Sequence, residues 1–114
     1  MRKLIMGLCF GLVAAPALAE TIALSDAKAH VGQTVTIEGT VADIHNGRSG
    51  ATFLDIGGRF PNNAMTAVIF VDDLSKFPSV KALAGKTVAI NGPVQLYRGK
   101  PEIVLKSAEQ ISAK

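Results

Sequence analysis

From Thr34 onward, apolar or glycine positions fall on every second residue, Val35, Ile37, Gly39 and Val41. That is the two-residue period of a strand with one face on a core. Ile44 then arrives one position out of phase. A glycine inside a strand followed by a phase slip predicts a bulge or sharp bend. His45-Asn46-Gly47-Arg48-Ser49-Gly50 is a polar cluster of turn formers, expected as an exposed loop. Ala51 to Ile56 reads as a second strand. Gly57 to Asn63, with two glycines, a proline and paired asparagines, reads as a second connection. Thr66 to Val71 is a third strand, apolar enough to be central and covered on both faces.

The period changes after Val71. Leu74, Phe77, Val80 and Leu83 recur every three residues between the acids Asp72-Asp73 and Gly85, which predicts a helix interrupted at Pro78 that lays one face on the core. Capping is the stronger reading of Asp72 and Asp73 over a metal pair. Lys86 to Tyr97 reads as a long fourth strand with Gly92-Pro93 in its middle. Arg98-Gly99-Lys100 turns the chain into a fifth strand, Pro101 to Lys106. Ahead of these strands, Ser25 to Ala29 offers a serine N-cap and a short helical turn. Gly32 to Val41 and Gly85 to Val94 share Gly, Thr, Val, Ile, Gly and Val at matching positions. Two copies are too few for a solenoid, and the echo predicts two long strands bent at a glycine, placed as opposite walls of a small barrel.

The first nineteen residues change the picture of where the chain works. Arg2 and Lys3 precede an uncharged run from Leu4 to Ala15, and Pro16-Ala17-Leu18-Ala19 has the small-x-small form that signal peptidases cut. The expectation is a cleavable signal peptide over 1–19 and one domain over 20–114, periplasmic or secreted. No anchor is expected, because the run falls short of the roughly 20 apolar residues of a spanning helix. Cys9, the single cysteine, leaves with the leader. Disulfides, thiolate metal sites and cysteine nucleophiles are therefore excluded from the mature chain. Of twelve Lys and Arg, two lie in the leader, which leaves ten against nine acidic residues, a charge near +1. Such a balance argues for a local basic patch at most, not for a protein held to nucleic acid or membrane by bulk charge.

Strand, strand, strand, helix, strand, strand, with a bend in the first, is the order of the OB-fold: an all-β, five-stranded Greek-key barrel with a helix between strands 3 and 4, here with a short N-terminal helix in addition. The stretch from Val31 to Ile111 resembles small bacterial OB-fold domains of the nucleic-acid-binding, anticodon-binding-like type. The residues that carry the resemblance are Val35-x-Ile37-x-Gly39-x-Val41, Phe53-Leu54-Asp55-Ile56-Gly57 and Tyr97-Arg98-Gly99-Lys100-Pro101-Glu102-Ile103. The resemblance implies a groove across strands 2 and 3, flanked by the loop after strand 1 and the loop after strand 4. Those loops hold His45 and Arg48, and Tyr97, Arg98 and Lys100; Arg59 and Phe60 lie between strands 2 and 3. Positive loops with aromatic platforms suit single-stranded nucleic acid, each stacked base contributing about 1–3 kcal/mol.

Arg48, Arg59, Phe60, Tyr97, Arg98 and Lys100 are thus the candidate nucleic-acid-binding residues. Phe53 and Phe70 read as core, Tyr97 is open between rim and platform, His45 reads as a solvated loop residue, and Glu102 as a partner of Arg98 across the hairpin. A thermonuclease-like hydrolase would draw on Asp43, Asp55, Arg48 and Arg59, but no acid spacing matches a metal loop. Catalysis ranks below binding, and no cofactor or metal is expected. The alternative reading is an OB domain that binds a small ligand or a protein partner. The chain is expected to be a monomer.

Overall fold

The computed structural model describes residues 20–114; the leader expected over 1–19, with Cys9, lies outside the described residues. Among the described residues there are eight strands: β1 Glu20–Ile22, β2 Thr34–Asn46, β3 Thr52–Ile56, β4 Met65–Ile69, β5 Thr87–Pro93, β6 Gln95–Tyr97, β7 Lys100–Val104 and β8 Ile111–Ala113. They form one curled sheet in the order β6-β7-β4-β3-β2-β5-β8, with β1 added in parallel to β2. The long β2 holds the sheet together. Its first half pairs with β5 and its second half with β3, and the register shifts between Val41 and Asp43, where the phase slip at Ile44 predicts a bulge.

Side-chain alternation sorts the sheet into an inner and an outer face. Val35, Ile37, Val41, Leu54, Ile56, Met65, Ala67, Ile69, Val88, Ile90, Ile103 and Leu105 are buried together as one core. Phe77 and Val80 close that core from the connection between β4 and β5, with Leu74 and Leu83 packed beside them, the face expected from the three-residue recurrence. This connection is not one helix. It consists of two 3-10 turns, Val71–Lys76 and Val80–Leu83, on either side of Pro78. Neither has a side-chain cap; Asp73 instead accepts a hydrogen bond from Lys76 Nζ at 2.8 Å.

Other expectations are corrected. The N-terminal 3-10 helix runs Leu24–His30 with Ala23 at its N-cap and no side-chain cap, so Ser25 does not start it. Phe70 is not core: its backbone has left β4, and it is 48% exposed. The expected fourth strand is two strands, because the chain leaves β5 at Val94 and β6 pairs with β7. The two echoing segments are neighbours rather than opposite walls. They pair antiparallel, Ile37 opposite Ile90, with each glycine facing a valine of the other copy, Gly39 opposite Val88 and Gly92 opposite Val35. Both glycines are sites of close approach. A Cβ on Gly39 would lie 2.6 Å from Ile56 Cγ2, and one on Gly92 2.7 Å from Ile103 Cγ2.

Among the described residues β5 and β7 share no ladder, so the sheet curls without closing. One side chain spans the seam. Gln110 Nε2 donates to Asn91 O on β5 and Val104 O on β7, at 3.0 and 3.1 Å, while Gln110 Oε1 accepts from Lys106 N and Ser107 N. Gln110 and Ser107 form a capping box on the short 3-10 turn Ala108–Gln110, which delivers the chain into β8 against β5. Among the described residues no helix is long and apolar enough to cross a membrane.

Candidate functional site

The inner faces of β3, β4 and β7 belong to the core, so the alternate residues Phe53, Asp55, Thr66, Val68 and Glu102 face outward. Strand register then sets a polar row across five strands. Asp43 on β2 stands opposite Asp55 on β3, Asp55 opposite Thr66 on β4, Thr66 opposite Glu102 on β7, and Glu102 opposite Gln95 on β6. Adjacent strands lie about 4.8 Å apart, which places the Asp55 and Glu102 backbones roughly 10 Å from each other. Phe60 and Pro61 from the β3–β4 loop and Tyr97 and Arg98 from the β6–β7 hairpin line the same end of this row, where the parallel β4 and β7 begin. The result is a cleft of about 440 Å³, walled by Phe53, Phe60, Pro61, Tyr97 and Pro101 and floored by Asp55, Thr66 and Glu102.

Both floor carboxylates are buried, Asp55 at 1% and Glu102 at 6% exposure. Carboxyl groups this deep need hydrogen-bond partners. Asp55 has two donors: His45 Nε2, 3.3 Å from either carboxylate oxygen, and the Phe60 backbone N–H at 3.3 Å. The latter ties the β3–β4 loop over the floor. Glu102 Oε1 accepts from Gln95 Nε2 at 2.7 Å. His45 lies within β2 rather than in the loop and keeps a side chain 42% exposed, yet it belongs to the site: it pairs with Asp55 and stacks on Phe53 at 5.5 Å between centroids, 24° between planes. Phe53 is correspondingly an outer-face ring, not core. Gly47 makes this packing possible, since a Cβ there would lie 2.5 Å from Phe53 Cε2.

Four of the six sequence-derived candidates converge on the cleft: Phe60, Tyr97, Arg98 and Lys100 all line it. Phe60 and Tyr97 are 69% and 54% exposed, open to a ligand. The Arg98 guanidinium lies over the Tyr97 ring at 5.3 Å, its backbone in the left-handed region at φ 54. Lys100 has a different employment. Its ammonium donates to Pro61 O at 2.8 Å and Asn63 Oδ1 at 2.7 Å, clamping the β6–β7 hairpin to the β3–β4 loop. Arg59 lies 4.0 Å from Asp43 with most of its side chain in solvent. Arg48 does not join the cleft. Its loop precedes Thr52, whereas the β6–β7 turn adjoins the opposite end of the five-residue β3.

Glu102 was not legible as a floor residue from the sequence, which suggested an exposed pair with Arg98. Its position two residues before the apolar Val104 and one before the core Ile103 is the signal for an outward, strand-interior carboxylate. Among the described residues no cluster of three or more His, Cys, Asp or Glu could hold a metal ion. His45 and Asp55 are a hydrogen-bonded pair.

No protein-family model matches the sequence, and no curated protein sequence does. Solved structures do match. A putative aspartyl-tRNA synthetase from Leishmania major Friedlin aligns over 91% of this chain at TM-score 0.59 and 14% identity. An OBody bound to hen egg-white lysozyme aligns over 90% of this chain and 98% of its own, at TM-score 0.62 and 18% identity. The chain has the OB fold. Against the synthetase it spans only 22% of the partner's length, and against a chain of the S. pombe Stn1-ten1 complex 57%, with TM-score 0.54 and 18% identity. Among the described residues the OB fold here has eight strands rather than five, with 3-10 turns where a helix is expected between the third and fourth barrel strands.

Proposed function

We propose that this chain is a non-enzymatic OB-fold binding module, exported from the cytoplasm, that holds single-stranded nucleic acid with one base in the cleft. The observation that carries the reading is the juxtaposition of exposed Phe60 and Tyr97 with the Arg98 guanidinium around a cavity of about 440 Å³. Rings of this kind offer a stacking surface to any base, and Arg98 at the rim offers a charge to the flanking phosphate. Support also comes from the neighbours of shared fold, several of which are tRNA synthetases by name.

The test is fluorescence anisotropy with a labelled eight-nucleotide single strand at 50 and 200 mM salt, for the native protein, Arg98→Ala and Tyr97→Ala. Binding that weakens with salt is expected. Tyr97→Ala is expected to lose about 1–3 kcal/mol of affinity, and Arg98→Ala to flatten the salt dependence by about one phosphate contact. Absence of binding at 50 mM salt overturns the reading. A second reading, a protein partner, is favoured by one feature: β6 is a sheet edge with all three residues exposed, Leu96 and Tyr97 among them. Such an edge can add a strand from another chain. The OBody, a neighbour of the same fold, is itself bound to a protein.

A further inference from the structure

The two floor carboxylates differ in what they still lack. Asp55 has donors on both oxygens, from His45 and the Phe60 backbone. Glu102 is 6% exposed and lines the cleft, and among the described residues its one side-chain donor is Gln95 Nε2, which serves Oε1. Oε2 has no donor among the described residues, and the Glu102 side chain lines the cleft, a state that a ligand N–H would relieve. The ligand group need not be a cation. Arg98 and Lys100 stand at the rim of the same cleft, and they disfavour a second positive charge while favouring an anion further out. The cleft is thus polarised, acceptor at the floor and cations at the mouth. Its complement is a flat, neutral group with an amino donor at its inner end and a phosphate at its outer end.

From this we infer that Glu102 makes the cleft selective for an amino-bearing base, cytosine or adenine, over thymine or uracil. The inference rests on the single-strand reading above. The exocyclic amino group of cytosine donates one hydrogen bond to Glu102 Oε2, a pairing carboxylates make with this base. Thymine presents a carbonyl oxygen at the same place, acceptor against acceptor. One free oxygen meets one amino group, so guanine, with two adjacent donors, gains less than a carboxylate with both oxygens free would give it.

The experiment compares (dC)8 with (dT)8, two pyrimidine strands of equal length and charge, by anisotropy against the native protein and Glu102→Gln, with circular dichroism melts as a control for folding. The native protein is expected to bind (dC)8 about tenfold or more tightly than (dT)8, the low end of the discrimination one base contact provides. Glu102→Gln, whose amide can donate to a carbonyl, is expected to bring the two strands within about threefold. Equal native affinity for both strands overturns this inference and leaves the single-strand reading standing. Discrimination that survives in a folded Glu102→Gln protein overturns the role of Glu102. Failure of both strands to bind overturns the single-strand reading and this inference with it. The native comparison decides the base preference even where the variant does not fold.

Discussion

At the scale of single residues, what matters is which cations are spent on the protein itself. Lys100 reads from the sequence as one of three basic residues beside the groove, yet its ammonium is held by Pro61 O and Asn63 Oδ1. Asn63 is buried, at 4% exposure, and its amide nitrogen donates to Met65 O and Thr66 Oγ1. Removing the ammonium leaves Asn63 Oδ1 a buried acceptor without its partner, a loss of about 1–3 kcal/mol. Lys100→Ala is therefore expected to lower the thermal midpoint by several degrees. Arg98→Ala, whose side chain leans on Tyr97 at the surface, is expected to leave the midpoint unchanged within about a degree. Calorimetry of the two variants checks this. Equal melting of both would mean that the Lys100 clamp is not formed in solution. Nothing in a run of Tyr-Arg-Gly-Lys distinguishes these roles, because the distinction depends on a loop forty residues earlier in the chain.

At the scale of elements, the weak point is the seam between β5 and β7, and Gln110 carries it. Its amide supplies two donors to strands that share no ladder and receives two backbone N–H groups in return. Four hydrogen bonds at about 0.5–1.5 kcal/mol each put the cost of Gln110→Ala on the order of 2–6 kcal/mol. In urea this is expected as a lower midpoint with an unchanged slope. An unchanged midpoint would show that the Gln110 bonds add nothing to the seam. Gly92→Ala attacks the same place from the other side. Its Cβ would lie 2.7 Å from Ile103 Cγ2 and 3.0 Å from Gln110 Nε2, and the overpacking is expected to destabilise by about 1–3 kcal/mol. The sequence made the bent β2, the apolar β4 and the i, i+3 lid legible, because each rests on a local period. It did not show β1, β8 or the Gln110 bridge. Three-residue strands have no measurable period, and a glutamine in Ala-Glu-Gln-Ile looks like any surface polar residue. The outer-face row Asp43, Asp55, Thr66, Glu102 was illegible for a related reason: it runs across strands, and register is not written in any one of them.

At the scale of the whole molecule, the stability of the domain bears on the proposed export. Residues 20–114 hold no cysteine, so folding draws on the core and the seam without a disulfide, and an oxidising compartment neither helps nor harms it. Within the described residues β1 pairs Glu20 with Val35, Thr21 with Thr36 and Ile22 with Ile37. A cut between Ala19 and Glu20 keeps all three of these paired residues. A cut only three residues further on removes it and bares the side of β2 it covers. The expected outcome is that protein recovered from a periplasmic or culture fraction has a mass beginning at Glu20, with an identical melt in the presence and absence of dithiothreitol. Recovery solely from the cytoplasm, at a mass that still includes Met1, would overturn export. It would also change the meaning of the cleft, since the single strands available to a cytoplasmic module are the cell's own RNAs, whereas an exported one meets nucleic acid only when it comes from outside or from lysed neighbours.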